Sequence, residues 1–258
     1  WWQTSWFKIL SVVTALIVIF GIALWRIKVV RRQEQVKAAY EKELLELEAR
    51  ALRAQMNPHF VFNSLNSIKS LINKNENANA AEYLTTFSKL IRTLFQNSDK
   101  REISLHEELE TCKLYTQIEK MRFGDKVNFL FDIDPGIDLK DIKVPALILQ
   151  PFVENAIWHG LVPKESGGTV QVSASTINGT IKCAIEDDGI GRALSKQFKE
   201  RYETSHQSKG IGLTQSRLEL DKVLNNRNVT INIIDKVDDM GRATGTTAVL
   251  LFDAIQTS

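Results

Sequence analysis

The chain has 258 residues, 43% of them apolar and 25% charged, with a formal net charge of +2. That content can bury a sizeable core in one or two domains, and a near-balanced charge with no basic stripe beyond one short cluster argues against direct nucleic-acid binding. Cys112 and Cys183 fall in different predicted elements without metal-ligand spacing, which speaks against a disulfide framework or a zinc site and for small buried thiols in a reducing compartment.

The chain opens on Trp1-Trp2 rather than methionine, which suggests the C-terminal part of a longer protein whose residues 1–5 end an extracytoplasmic region. An apolar run from Trp6 to Trp25 has the length of a membrane-spanning helix, with Lys8 near one end and tryptophans at both interfaces. Arg26, Lys28, Arg31 and Arg32 follow, so the positive-inside rule puts the remainder in the cytoplasm, at a bacterial inner membrane. The run is too long for a cleaved signal peptide and no small-residue cleavage site follows it. From residue 26 to 54, Val30, Tyr40, Leu44, Leu47, Ala51 and Ala54 keep 3-4 spacing, with Gln33 and Lys37 at core positions of the first half. This predicts a parallel coiled coil and hence a homodimer; the competing reading is a single amphipathic helix on its own domain.

A helix is expected over 78–98, with Tyr83, Phe87, Leu90, Ile91, Leu94 and Phe95 on one face, and two such hairpins would make a four-helix bundle. Ser104-Leu105-His106-Glu107 is a capping box that starts a helix running to about Arg122. The period then changes to two. Val127, Phe129, Phe131 and Ile133 alternate as a strand that ends at Asp134-Pro135-Gly136. Helices at 145–160 and 213–224 and strands near 169–176, 180–186, 229–235 and 246–252 complete the order, with Asn178-Gly179 as a hairpin turn. The order predicts an α+β fold with helices on one face of a mixed sheet. Between Arg192 and Lys209 the polar stretch reads as a loop that holds His206 and Lys209.

Three boxes carry the chemistry. His59 follows Pro58 inside a helical pattern, where the proline ring should bend the helix, and Asn63 comes one turn later. A neutral imidazole is a competent nitrogen nucleophile. Asp187-Asp188-Gly189-Ile190-Gly191 follows a strand, lacks the third glycine and helix of a dinucleotide fingerprint, and no Walker A sequence occurs in the chain. Gly210-Ile211-Gly212-Leu213 opens a helix whose N-terminal amides favour an anion, for which a triphosphate is the expected occupant.

With Pro151-Phe152-Val153-Glu154-Asn155-Ala156 between them, the octapeptide Met56 to Asn63 and the two glycine boxes resemble sensor histidine kinases of the LytS/YehU type. The resemblance covers roughly residues 27–253 and implies a Bergerat-type α/β sandwich binding ATP and Mg²⁺ over 123–258, behind a dimerisation and phosphoacceptor region over 55–122. It implies that His59 is phosphorylated by ATP, that Asn63 orients the phosphoryl group or a water, and that Glu154 assists metal or water. On the same basis Asn155 holds Mg²⁺, Asp187 accepts from the adenine amino group, and Gly189, Gly191, Gly210, Gly212 and Leu213 line the nucleotide. His159 either faces the phosphates or caps its helix. Thr247, in Gly245-Thr246-Thr247, resembles the last adenine-side box. Leu105, Glu108, Tyr115, Glu119, Arg122 and Phe123 resemble the segment joining the halves, where Arg122 reaches phosphate or makes a structural ion pair.

The implied activity is an ATP-dependent protein histidine kinase that passes its phosphoryl group to an aspartate of a response regulator receiver domain, of the LytTR type, in answer to an extracytoplasmic signal. Two other readings compete. A clamp-type or serine-phosphorylating ATPase of the same superfamily gives no role to Asn57-Pro58-His59, and a scaffold with a dead pocket would have lost Asn155, Asp187 or the glycines.

Overall fold

Apolar residues that alternate over 127–133 and 229–235 are the outer strands of a five-stranded mixed sheet. The computed structural model describes residues 5, 20–22, 24–35, 58–98, 100–177, 179–202, 211–212, 214–216, 218–219, 222 and 229–253. Two units separate by their contacts, residues 1–46 and 47–258. In the first, residues 24–35 form a helix, α1. Among the described residues no helix is long and apolar enough to cross a membrane. Most of the expected span at 6–25 and the coiled coil beyond residue 35 lie outside the described residues.

The second unit begins with a helical hairpin, α2 (Pro58–Asn73) and α3 (Asn77–Ser98). Pro58 is the first described residue of α2. Any bend before it falls on residues outside the description. Phe60 and Ile68 of α2 are buried with Tyr83, Leu90 and Leu94 of α3. Phe62, Leu65 and Ile72 of α2 and Leu84 and Phe95 of α3 stay exposed.

A short ribbon of β1 (Glu102–Ser104) and β3 (Lys143–Pro145) flanks α4 (Leu105–Phe123). The capping box forms as expected: the Glu107 amide donates to Ser104 Oγ at 3.2 Å and the Ser104 amide donates to Glu107 Oε2 at 2.8 Å. These bonds and Lys100 hold the Glu107 carboxyl down at about 2. Helix α4 buries Leu105, Glu108, Leu109, Cys112, Tyr115, Ile118 and Glu119, a set that spreads around the helix because the hairpin covers one side and the sheet the other.

The sheet runs β2 (Val127–Ile133), β4 (Gly168–Ile177), β5 (Thr180–Asp187), β7 (Ala243–Asp253), β6 (Val229–Val237). Only β2 with β4 is parallel; the other pairs are antiparallel. Val170, Val172, Ile181, Cys183, Ile185, Leu250 and Phe252 point from it into a core shared with α4 and with α5 (Gln150–Asn155).

Two expectations are corrected. The helix placed at 145–160 starts only at Gln150 and changes at Ala156 into a π-turn that ends at Leu161. Residues 145–149 are not helical because Leu147 sits in the left-handed region (φ 58°), and the buried Glu108 carboxylate accepts from the Leu147 and Leu149 amides at 2.8 and 2.7 Å. The stretch after Arg192 is not a loop in its first half: Gly191–Tyr202 form α6, built of good helix formers such as Arg192, Ala193, Leu194 and Lys196. His206, Lys209 and Gly210 lie outside the described residues, as does Leu213.

Candidate functional site

Asp187 ends β5 on the side chain face that meets the π-turn, and only 4% of its surface remains exposed. Its Oδ1 accepts from the Gly189 amide at 2.8 Å, and the Thr246 amide also donates to it. Burial pushes the carboxyl up to about 6, with those two amides and Lys236 opposing. Beside it lies a cavity of about 310 Å³. Asn155, His159 and Gly160 form one wall and Gly191, Arg192, Ser195 and Lys196 of α6 another. Ile211, Gly212, Ile233 and Thr246 complete the lining.

The geometry of the walls follows from local backbone. In the π-turn the Val162 amide donates to the Ile157 carbonyl at 2.8 Å, one residue farther than in an α-helix, and such turns recur at functional sites. The inserted residue brings Gly160 as well as Asn155 and His159 to the cavity. Gly189 touches the Gly160 backbone so closely that a Cβ there would overlap it, and the Ile190 amide donates to the Gly160 carbonyl at 3.1 Å. At Gly245 (φ 135°) a Cβ would overlap the Asp187 carbonyl. Neighbouring charges are mostly engaged. Arg192 holds Asp235 with two bonds of 2.7 and 2.6 Å, Lys236 holds Glu186 at 2.6 Å, and the Asp188 carboxylate accepts from the Thr169 amide at 2.9 Å. Asp188 is therefore structural, and Asp187 is the acid at the cavity. Lys196 borders the cavity with an exposed side chain.

Of the residues expected from sequence, Asn155, His159, Asp187, Gly191 and Gly212 line this one cavity, and Gly189 shapes it from behind. Thr247 does not: the register pairs Thr246 with Asp187 and Thr247 with Glu186, so strand alternation turns Thr246 to the cavity. Glu154 is half-buried on α5 and is not a lining residue; its charge raises the pKa of Tyr115 and Glu119 instead. His59 is the second residue of α2, its side chain outside the description, and Asn63 follows one turn later; among the described residues neither α2 nor α3 contributes to the lining. Sequence reasoning missed Gly160, Arg192, Ser195, Lys196, Ile233 and Thr246. Thr246 had a sequence signal, its place in the Gly245-Thr246-Thr247 box.

Behind the π-turn lies a second, buried polar group. The Arg122 guanidinium stacks between Phe123 at 4.8 Å and Trp158 at 4.7 Å, with Glu119 3.8 Å away. Among the described residues Arg122 does not line the cavity and sits beside Glu119 instead. Glu119 is wholly buried, and burial pushes it up to about 7, with Arg122 opposing and the Glu154 charge adding to the rise. Tyr115 and Trp158 lower the Glu119 carboxyl as weak hydrogen-bond partners, as Ser64 and Ser67 do for Tyr83, while Arg122 Nη1 makes no hydrogen bond of good geometry among the described residues.

Comparison with known proteins adds to this geometry. The model of the histidine kinase family matches residues 47–127. The sensor histidine kinase YpdA of Escherichia coli (strain K12) is 36% identical over 68% of this chain and 29% of its own. YesM of Bacillus subtilis (strain 168), another sensor histidine kinase, is 31% identical over 72% of this chain and 31% of its own. The sensor protein LytS of Streptococcus mutans is 35% identical over 64% and 28%. The chain thus spans less than a third of the length of each of these relatives.

Proposed function

Since the chain belongs to the histidine kinase family and is related to LytS-type sensor kinases, we propose that it binds ATP in the cavity at Asp187 and transfers the γ-phosphoryl group to His59. The convergence of Asn155, His159, Asp187 and Gly212 on one cavity, from three separate segments, carries this reading. The cavity fits the nucleotide in kind. Asp187 is a buried acceptor for an exocyclic amine, and the close Gly189–Gly160 and Gly245–Asp187 backbone approaches fix the segments around it.

Asn155 would hold Mg²⁺, a hard cation that keeps several waters and takes one or two protein oxygens, and the ion supplies charge neutralisation along the phosphates. The protein's own contribution is positional. Asp187 fixes the base, His159 and Lys196 offer charge at the opposite end, and the side chains of Ile211 and Ile233 keep water from that wall. Attack by a neutral imidazole nitrogen of His59 forms the N–P bond as the bond to ADP breaks. Asn63 would orient the transferred group. Glu154 serves from behind the wall, through metal- or water-positioning. Gly210 and Leu213, expected beside the phosphates, lie outside the described residues.

A homodimer accords with the exposed apolar stripe of Phe62, Leu65 and Ile72 on α2 with Leu84 and Phe95 on α3, which a second hairpin would cover. We assign residues 55–122 to dimerisation and phosphoacceptance and 123–258 to nucleotide binding. The phosphoryl group would pass to a receiver-domain aspartate of a response regulator, of LytTR type. Membrane anchoring through residues 6–25, a cytoplasmic kinase and an extracytoplasmic stimulus rest on the sequence pattern alone.

Incubation of the full chain with γ-labelled ATP and Mg²⁺ tests this. The expected label is acid-labile and alkali-stable, and it disappears in both His59→Gln and Asn155→Ala. ATP turnover that leaves no label on the protein, unchanged in His59→Gln, would contradict it.

A further inference from the structure

Helix α4 is the one element packed against both the hairpin and the nucleotide wall, and its residues Tyr115, Glu119 and Arg122 follow at helical spacing on the side that faces α5 and the π-turn. Trp158 leaves the π-turn toward α4 while its neighbours His159 and Gly160 border the cavity. The indole is held edge-on by Phe123, with ring centroids 5.6 Å apart and planes at 73°, and face-on by the Arg122 guanidinium.

An arginine that served only as a structural ion pair would be expected to make the short, forked bonds to carboxylate that its geometry allows. Arg122 does not. Its closest carboxylate atom, Glu119 Oε2, lies at 3.8 Å, beyond hydrogen-bond reach, and its buried Nη1 has no hydrogen-bond partner among the described residues. The stack on Trp158 is therefore its principal contact, and the wholly buried Glu119 supplies the countercharge. Tyr83 of α3 feels the charges of both Glu119 and Arg122, so the group extends to the hairpin.

We propose that Arg122 is a positioning residue for the nucleotide site: by clamping Trp158 it sets the π-turn that carries His159 and Gly160 and follows Asn155, with Glu119 as the buried countercharge that keeps the clamp closed. The proposal deepens the kinase reading and rests on it. A shift of the turn displaces the phosphate-end residues Asn155 and His159 while the adenine-end acid Asp187, on β5, stays put. The clamp thus acts on the metal-dependent half of nucleotide binding.

Calorimetric titration of the full chain with ADP, with and without Mg²⁺, reads this out for wild type, Arg122→Lys and Glu119→Gln, alongside thermal unfolding. Arg122→Lys keeps the charge and loses the planar stack. It is expected to lose about tenfold of the affinity gained from Mg²⁺, because a misplacement near 1 Å costs up to about a hundredfold, while Mg²⁺-free ADP affinity stays within about twofold. Glu119→Gln is expected to lose less, in the same direction. In labelling assays with Mg²⁺, the rate of His59 labelling falls and KM for ATP rises in Arg122→Lys. A full Mg²⁺ gain in Arg122→Lys, whatever its melting temperature, overturns the proposal. Should that variant unfold, Trp158→Leu removes the other partner of the stack, and a full Mg²⁺ gain there overturns it equally. A wild type that binds no ADP contradicts the kinase reading itself; one that binds ADP and labels His59, with both variants unaltered, contradicts only the clamp.

Discussion

The cavity at Asp187 and the hairpin that carries His59 are built on opposite plans. At the cavity, backbone meets backbone: Gly189 lies on Gly160, Gly245 on Asp187, and a buried carboxylate is held by two amides. The hairpin instead leaves Phe62, Leu65, Ile72, Leu84 and Phe95 exposed and, among the described residues, lends none to the cavity wall. One region is closed by contacts within the chain and the other leaves an apolar stripe exposed. Chemistry that joins them requires His59 and the cavity to be brought together, by movement within one chain or by a second copy.

The strongest way to break the contrast is to spoil the closed region. Glu108→Ala strips the Leu147 and Leu149 amides of their buried acceptor, and each unsatisfied group costs about 1–3 kcal/mol. We expect a loss of about 3–5 kcal/mol in urea unfolding, with α5 and the cavity disrupted together. Next in size, Asp187→Ala should weaken ADP binding by about a hundredfold in calorimetry, since a buried polar acceptor discriminates strongly; the fold, held by the neighbouring sheet, should survive.

The converse experiment acts on the hairpin. Phe62→Glu with Phe95→Glu should weaken self-association by about tenfold or more in sedimentation, because each places a charge in an apolar contact, yet leave ADP affinity within about twofold. A parallel fall in ADP affinity would show that the two regions are not separate after all.

A smaller effect comes from the buried acid between them. Glu119 is pushed up to about 7, so the folded chain takes up its proton before the unfolded chain does. Stability should therefore be lowest above that value and rise as pH falls toward the unfolded value, by about 2 kcal/mol between about pH 8 and 5. In Glu119→Gln that slope should flatten. The smallest expected change is Ser104→Ala, about 1 kcal/mol from the lost cap of α4, read as a shift in thermal unfolding.

What could be read from the sequence divides along the same line. The capping box at Ser104, the alternation of 127–133 and the turn at Asn178-Gly179 are local signals, and the elements fall where those signals put them. The hairpin helices and the glycine box at 187–191 were legible for the same reason. What was hidden depends on distant partners. Leu147 adopts its left-handed backbone only because Glu108, 39 residues earlier, meets its amide. The π-turn forms where Gly160 must fit Gly189, and the choice of Thr246 over Thr247 is set by pairing with β5. The polar α6 was misread because charged residues that resemble a loop are also strong helix formers. Arg192, Ser195 and Lys196 reach the cavity only through that helix.

The most direct test of the central claim is ³¹P nuclear magnetic resonance of the full chain after incubation with ATP and Mg²⁺ under neutral conditions. The account predicts a protein-bound phosphoramidate signal that is absent from both His59→Gln and Asn155→Ala. A phosphoester signal that persists in His59→Gln, or free phosphate alone, would contradict it.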